Sequence, residues 1–184
     1  MPTGLTQTSD PIAISARFVQ SNTNAFEVKR LDLQLNPLDQ EVFVITAVKV
    51  DFLNMPGRLP HPVNGTFVVE YEAAVAKNLP TAMVNIGQSN CVAYSSLLAQ
   101  QTSGGSGTTA TIHSIIEQGA TDAPPATMDY LDIVATSDLF LCLDTGGVGP
   151  TETADVAFRI YGYRARASKA GVYAALVQSE QLSL

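Results

Sequence analysis

Asp144-Thr145-Gly146, directly after the apolar run LFLCL, is the triplet in this chain most suggestive of chemistry, because aspartic proteases carry Asp-Thr-Gly after a hydrophobic strand. That chemistry needs two carboxylates sharing a proton, from two lobes or a symmetric dimer. The chain has no second such triplet, and fewer than forty residues follow this one, too few for a protease built around it. Asp144 therefore reads as an Asx-type turn residue. His61, between prolines, and His113, in a strand-like run, have no Cys, Asp or Glu at ligand spacing. The pairs Gly104-Gly105 and Gly146-Gly147 lack the lysine and following helix of a phosphate cradle, and no Gly-x-Ser-x-Gly elbow occurs. Asp129, Asp132 and Asp138 fit no compact calcium loop. Cys91 and Cys142 lie in apolar surroundings and read as buried free thiols, with a single disulfide the lesser reading. The residues assign no catalytic group, no metal site and no cofactor.

What remains is a basic, aromatic stretch, Phe158 to Arg166. One face of an extended chain carries Arg159, Tyr161 and Tyr163; the other carries Phe158 and Ile160, then Arg164 and Arg166. Interleaved Arg and Tyr are typical of interface anchors and also of nucleic-acid contacts. A strand whose charges are merely solvated is the plain alternative. Arg159, Tyr161, Tyr163, Arg164 and Arg166 are the residues expected at a subunit interface.

The composition agrees with association. Charged residues are 15% of the 184, against an apolar share of 46%, and interface cores are depleted in charge. A net charge of −7 argues against a whole-surface nucleic-acid binder. No apolar run reaches the length of a membrane span, and MPTGLTQTSD lacks the basic and apolar regions of a signal peptide.

The elements that position these residues are strands. Glu41 to Phe52 is the central one: Val42, Val44, Val48, Val50 and Phe52 share one face, broken only by Thr46, while Phe43, Ile45 and Ala47 share the other. Phe26 to Leu35 precedes it, its apolar set shifting from Phe26 and Val28 to Leu31, Leu33 and Leu35 as a bulge or a twist within the strand would produce; Asn36-Pro37-Leu38-Asp39 is the joining turn. Gly65 to Ala76 alternates as a half-exposed strand, Phe67, Val69, Tyr71 and Ala73 inward. Further strands are expected over Ile12–Val19, Met83–Ile86, Val92–Leu98 (strand or helical turn), Thr111–Glu117, Tyr130–Ala135, Leu139–Leu143 and Ala154–Ala165. Gly171 to Leu184 fits a short helix or a final strand. Eight to nine strands with turn-rich joins make an all-β chain with little helix, an antiparallel β-sandwich or closed barrel. The organisation is a loose polar arm, residues 1–11, and one domain, residues 12–184.

The runs LQLNPLDQEVFVITAVKVDF, YLDIVATSDLFL, RIYGYRARAS and the closing YAALVQSEQLS resemble small virion proteins, specifically the single jelly-roll capsid proteins of tailless icosahedral viruses of prokaryotes. The resemblance spans the chain from about Leu31 onward and carries over no functional residue. It implies a jelly roll of about eight strands, a virion protein present in many copies in an icosahedral shell, and no catalytic activity. Its partners would be other copies of itself and a second capsid protein where one is present; genome or internal-membrane contact has no sequence support. On that reading the arm orders against a neighbour or the shell interior. The competing class is a carbohydrate- or ligand-binding β-sandwich module using the loops Asn54–Asn64 and Gly146–Thr153. The absence of Trp counts against it, since sugar faces are usually met by aromatic rings.

Overall fold

The computed structural model describes residues 2–53, 65–103, 111–119, 121–124, 126, 128–147 and 153–182. Its strands are β1 (Leu5–Gln7), β2 (Ile12–Val19), β3 (Glu27–Asp32), β4 (Glu41–Phe52), β5 (Gly65–Ala76), β6 (Cys91–Ser103), β7 (Thr111–Gln118), β8 (Thr121–Asp122), β9 (Asp132–Val134), β10 (Asp138–Gly147) and β11 (Asp155–Ala167), followed by one helix, α1 (Ala170–Leu182). They form two antiparallel sheets. In sheet A, β11 lies between β4 and the strands β1 and β2, and β8 and β9 pair with the far side of β4; sheet B has the order β3-β10-β5-β6-β7.

With β1, β7 and β8 set aside, eight strands remain, and their pairing is nested. The first lies beside the eighth (β2, β11), the second beside the seventh (β3, β10), the third beside the sixth (β4, β9) and the fourth beside the fifth (β5, β6). A long hairpin wrapped around itself pairs in this way, which is the jelly-roll form of the β-sandwich. Apolar side chains on the two inner faces make the main core: Phe43, Ile45, Val48, Val50, Phe158 and Ile160 from sheet A against Tyr71, Ala73, Val75, Leu97, Leu139, Leu141 and Leu143 from sheet B.

β4 has the expected bounds, but its faces differ from expectation. The register with β11 steps from Tyr161↔Ala47 to Gly162↔Ile45, leaving Thr46 as the extra residue of a bulge. The bulge reverses the alternation. Val48, Val50 and Phe52 point into the sandwich with Phe43 and Ile45, whereas Val42 and Val44 point outward. They are buried all the same, because α1 lies over them. Val172, Tyr173, Leu176 and Val177 make a stripe at helical spacing that packs on Val42, Val44, Ala165, Ala167 and Leu5.

β3 needs no bulge. It keeps one register with β10 throughout; half-buried Val28 packs on an outer apolar cluster and half-buried Leu31 on the inner core, so the shift in apolar residues marks an edge strand that lends one side chain to each face. Asn36 accepts the Leu38 N–H at 3.1 Å and starts a 3-10 turn at Pro37–Asp39. Met83 to Ile86 is not a strand. It belongs to the β5–β6 connection, residues 77–90, which folds back so that Val84 and Met83 cover Ala74, Ala76 and Cys142 on the outside of sheet B. Residues expected as a loose arm carry β1, which pairs with β11 as Leu5↔Ala167 to Gln7↔Ala165.

Candidate assembly surface

The two covers divide each sheet into halves. α1 shields the half of sheet A built from the start of β4 and the end of β11. Its other half, carrying Ala13, Ser15 and Arg17 of β2, Ala157, Arg159 and Tyr161 of β11, and Ala47, Lys49 and Asp51 of β4, has no cover among the described residues. Small side chains give a flat floor between the charged ones, and a shallow groove of about 390 Å³ runs among Ser15, Arg17, Lys49, Asp51, Ala157 and Arg159.

The five residues expected at an interface are not one patch. β11 is an interior strand of sheet A, and its alternation sends them to three places. Arg159 and Tyr161 are exposed on the open half. Tyr163 lies among the residues packed around α1. Arg164 and Arg166 point toward the turn before β4, where each finds a carboxylate. Arg164 donates to Glu41 Oε2 at 3.1 Å and to the carbonyls of Leu33 (3.0 Å) and Gln34 (3.2 Å), and Arg166 donates to Asp39 at 2.7 Å. Gln34 is itself left-handed, φ 53°. Arg164 therefore clamps a backbone that would otherwise hold its own carbonyls to water. Arg164→Ala is expected to lower stability by roughly 1–2 kcal/mol without altering the open face, while Arg159→Ala brings no loss of the single chain's thermal midpoint. Thermal melts of the two variants separate the roles; equal losses would refute the division.

Sequence reasoning missed Arg17 and Lys49, because only strand register brings them beside Arg159. Arg17 is engaged: its Nε and Nη2 donate to the two Asp155 carboxylate oxygens at 2.8 and 2.5 Å. The interaction holds the Asp155 carboxyl below its usual range.

Asp144 is not a turn residue. It lies within β10, paired with Glu72 of β5, and burial together with the Glu72 charge raises its carboxyl above the ordinary value. Thr145 is the buried member of the triplet. Its hydroxyl accepts the Asn24 N–H at 2.9 Å and donates to Gln20 Oε1 at 3.2 Å. The residue pattern thus serves a polar tie between β10 and the β2–β3 turn. Both thiols are free; burial pushes Cys142 up to about 12 and Cys91 up to about 11. β5 runs between them, which separates them by roughly 10 Å at ordinary strand spacing, beyond disulfide reach.

Asp132 pairs with Lys77 at 3.0 Å and Asp138 with Arg30 at 2.6 Å. Among the described residues no three His, Cys, Asp or Glu side chains are grouped to hold a metal ion. His61 and the loop Asn54–Asn64 lie outside the described residues, as does most of Gly146–Thr153, and at His113 only the backbone of β7 is described.

No family model matches the chain, and no curated protein matches it. Among solved structures it is similar to the VP1 capsid protein of Merkel cell polyomavirus in an unassembled pentamer, with 8% identity, a TM-score of 0.44, and 87% of this chain and 96% of that one covered. It is also similar to VP1 of trichodysplasia spinulosa-associated polyomavirus in complex with GM1 oligosaccharide, with 8% identity, a TM-score of 0.42 and coverage of 88% and 97%.

Proposed function

We propose that this chain is a non-enzymatic structural subunit of a virion, one that associates with copies of itself to build an icosahedral shell. The observation that carries the reading is the open half of sheet A. Arg159 and Tyr161 stand exposed over a flat floor of Ala13, Ala47, Ala157 and Ser15, and Arg and Tyr are the residue types enriched where proteins meet. A jelly roll hosts unrelated functions, so the fold alone does not decide the matter. The narrower attribution, to tailless icosahedral viruses of prokaryotes, rests on the sequence resemblance.

The purified chain is expected to form discrete oligomers, capsomers or closed shells. Light scattering across concentration and salt, with electron microscopy of the same sample, reads this directly. A strictly monomeric chain under every condition would refute self-assembly.

A further inference from the structure

Each sheet carries, on the half left without a cover among the described residues, a charge arrangement that is unfavourable in a single chain. In sheet A the register places Arg159 between Ser15 on one side and Lys49 on the other, so two cations stand directly opposite each other. Like charges in that position repel. Arg159 Nε has only a 3.3 Å contact to Ser15 Oγ, and neither cation forms an ion pair among the described residues. Asp51, on the same face and opposite Ala157, forms none either.

Sheet B repeats the arrangement with the opposite sign. Tyr71, Ala73 and Val75 of β5 and Leu141 and Leu143 of β10 point into the core, so Glu70, Glu72 and Asp144 point outward. Glu72 is directly opposite Asp144, and Glu70 is opposite Gly146, which has no side chain to meet it. None of the three carboxylates forms an ion pair among the described residues; the Tyr94 hydroxyl donates to Glu72. The connection over residues 77–90 covers the other half of this sheet, as α1 covers the other half of sheet A.

Chain order puts the two open halves at the same end of the sandwich. β4 leaves the cationic half and β5 enters the acidic half, while β10 leaves the acidic half and β11 enters the cationic one. We infer that the open half of sheet A in one copy packs on the open half of sheet B in the next, Lys49 and Arg159 facing Glu70 and Asp144, with copies side by side about an axis along the strands. The contact rests on the assembly reading above and names its partner surface. It removes both repulsions at once. Because two different surfaces meet, it is heterologous and closes into a ring when the rotation permits.

Charge reversal tests this on the full chain. Glu72 holds the Tyr94 hydroxyl, so the acidic side is reversed as E70K/D144K and the cationic side as K49E/R159E. Each variant alone should remain at monomer mass under conditions where the unmodified chain associates. An equimolar mixture should associate again, in species that native mass spectrometry shows to contain both. Thermal melts establish that each variant folds; K49Q/R159Q, a milder change, should weaken association about tenfold or more. If a folded variant keeps the unmodified mass, or the mixture of two folded variants stays monomeric, the contact is wrong while self-assembly stands. Loss of the unmodified assembly on nuclease treatment would assign the cations to nucleic acid and also overturn it. A chain that never associates would remove the assembly reading itself.

Discussion

Gly162→Val should leave little or no folded protein. Gly162 sits on β11 at the register step opposite the Thr46 bulge. A β-carbon there would come within 2.3 Å of the Val44 carbonyl oxygen and 2.8 Å of the Phe43 ring. Neither neighbour can yield cheaply. The carbonyl belongs to the backbone of β4, and Phe43 is fully buried in the main core. Accommodation would pry β4 from β11 along the seam that joins the central strands of sheet A. Overpacking a core by a methylene or more costs about 1–3 kcal/mol and occasionally more. Gly162→Ala is expected at the top of that range and valine beyond it. Gly146→Ala is the control, since its added carbon meets nothing within 4 Å. Urea midpoints for the alanine pair, and soluble yield for the valine variant, decide the point. Equal midpoints for Gly162→Ala and Gly146→Ala would show that β4 and β11 separate freely there.

Glu180→Ala should cost about 3 kcal/mol, because it strands buried donors. Glu180 is 2% exposed, and its carboxylate accepts the Ala135 N–H at 3.0 Å, the Thr136 N–H at 3.1 Å and the Thr136 hydroxyl at 2.7 Å. These bonds fasten α1 to the β9–β10 turn, aided by the Tyr173 hydroxyl on the Ala135 carbonyl at 3.2 Å. Burial outweighs the hydrogen bonds and the nearby Lys77 charge, and raises the Glu180 carboxyl above its ordinary value of 4.5. The folded protein then binds this proton more tightly than the unfolded chain. The stability it contributes is fully present below 4.5 and is lost as pH rises through the folded value. Glu180→Gln keeps an acceptor for the amides without the charge. It should match the unmodified chain in acid, exceed it near neutrality, and lack that part of the pH dependence. Thermal midpoints of the three proteins between about pH 4 and pH 8 measure this. An alanine variant as stable as the glutamine variant would mean the two amides find water instead.

The apolar run of β4 made that strand legible residue for residue, and the Val172, Tyr173, Leu176, Val177 spacing already admitted α1. The faces of β4 were not legible. The Thr46 bulge arises from pairing with Gly162, over a hundred residues away in the chain, and a run apolar on both sides hides a change of alternation. The five Arg and Tyr residues of the basic strand share one expectation, an interface, because alternation separates its two faces but cannot tell a residue over the sheet from one at its rim. Arg164 and Arg166 look like Arg159 in sequence and differ only in what register places beside them, Glu41 and Asp39. Lys49 and Arg17 had no local signal at all. Glu180 had none either, since its donors belong to a turn 44 residues earlier.

Nested pairing also sets the order in which the fold can be completed as the chain is made. β5 and β6 are neighbours in sequence and can pair early. β4, buried on both faces, finds its partners among the described strands in β8, β9 and β11, all later in the chain. β1 and β2 wait longest, since Leu5 pairs with Ala167 and Ser15 with Arg159, both on the last strand. Loops of that span close slowly, and an unpaired apolar strand is open to wrong partners meanwhile. On a ribosome, the first half of this protein has to stay soluble as an unfinished sheet until β11 emerges and closes it.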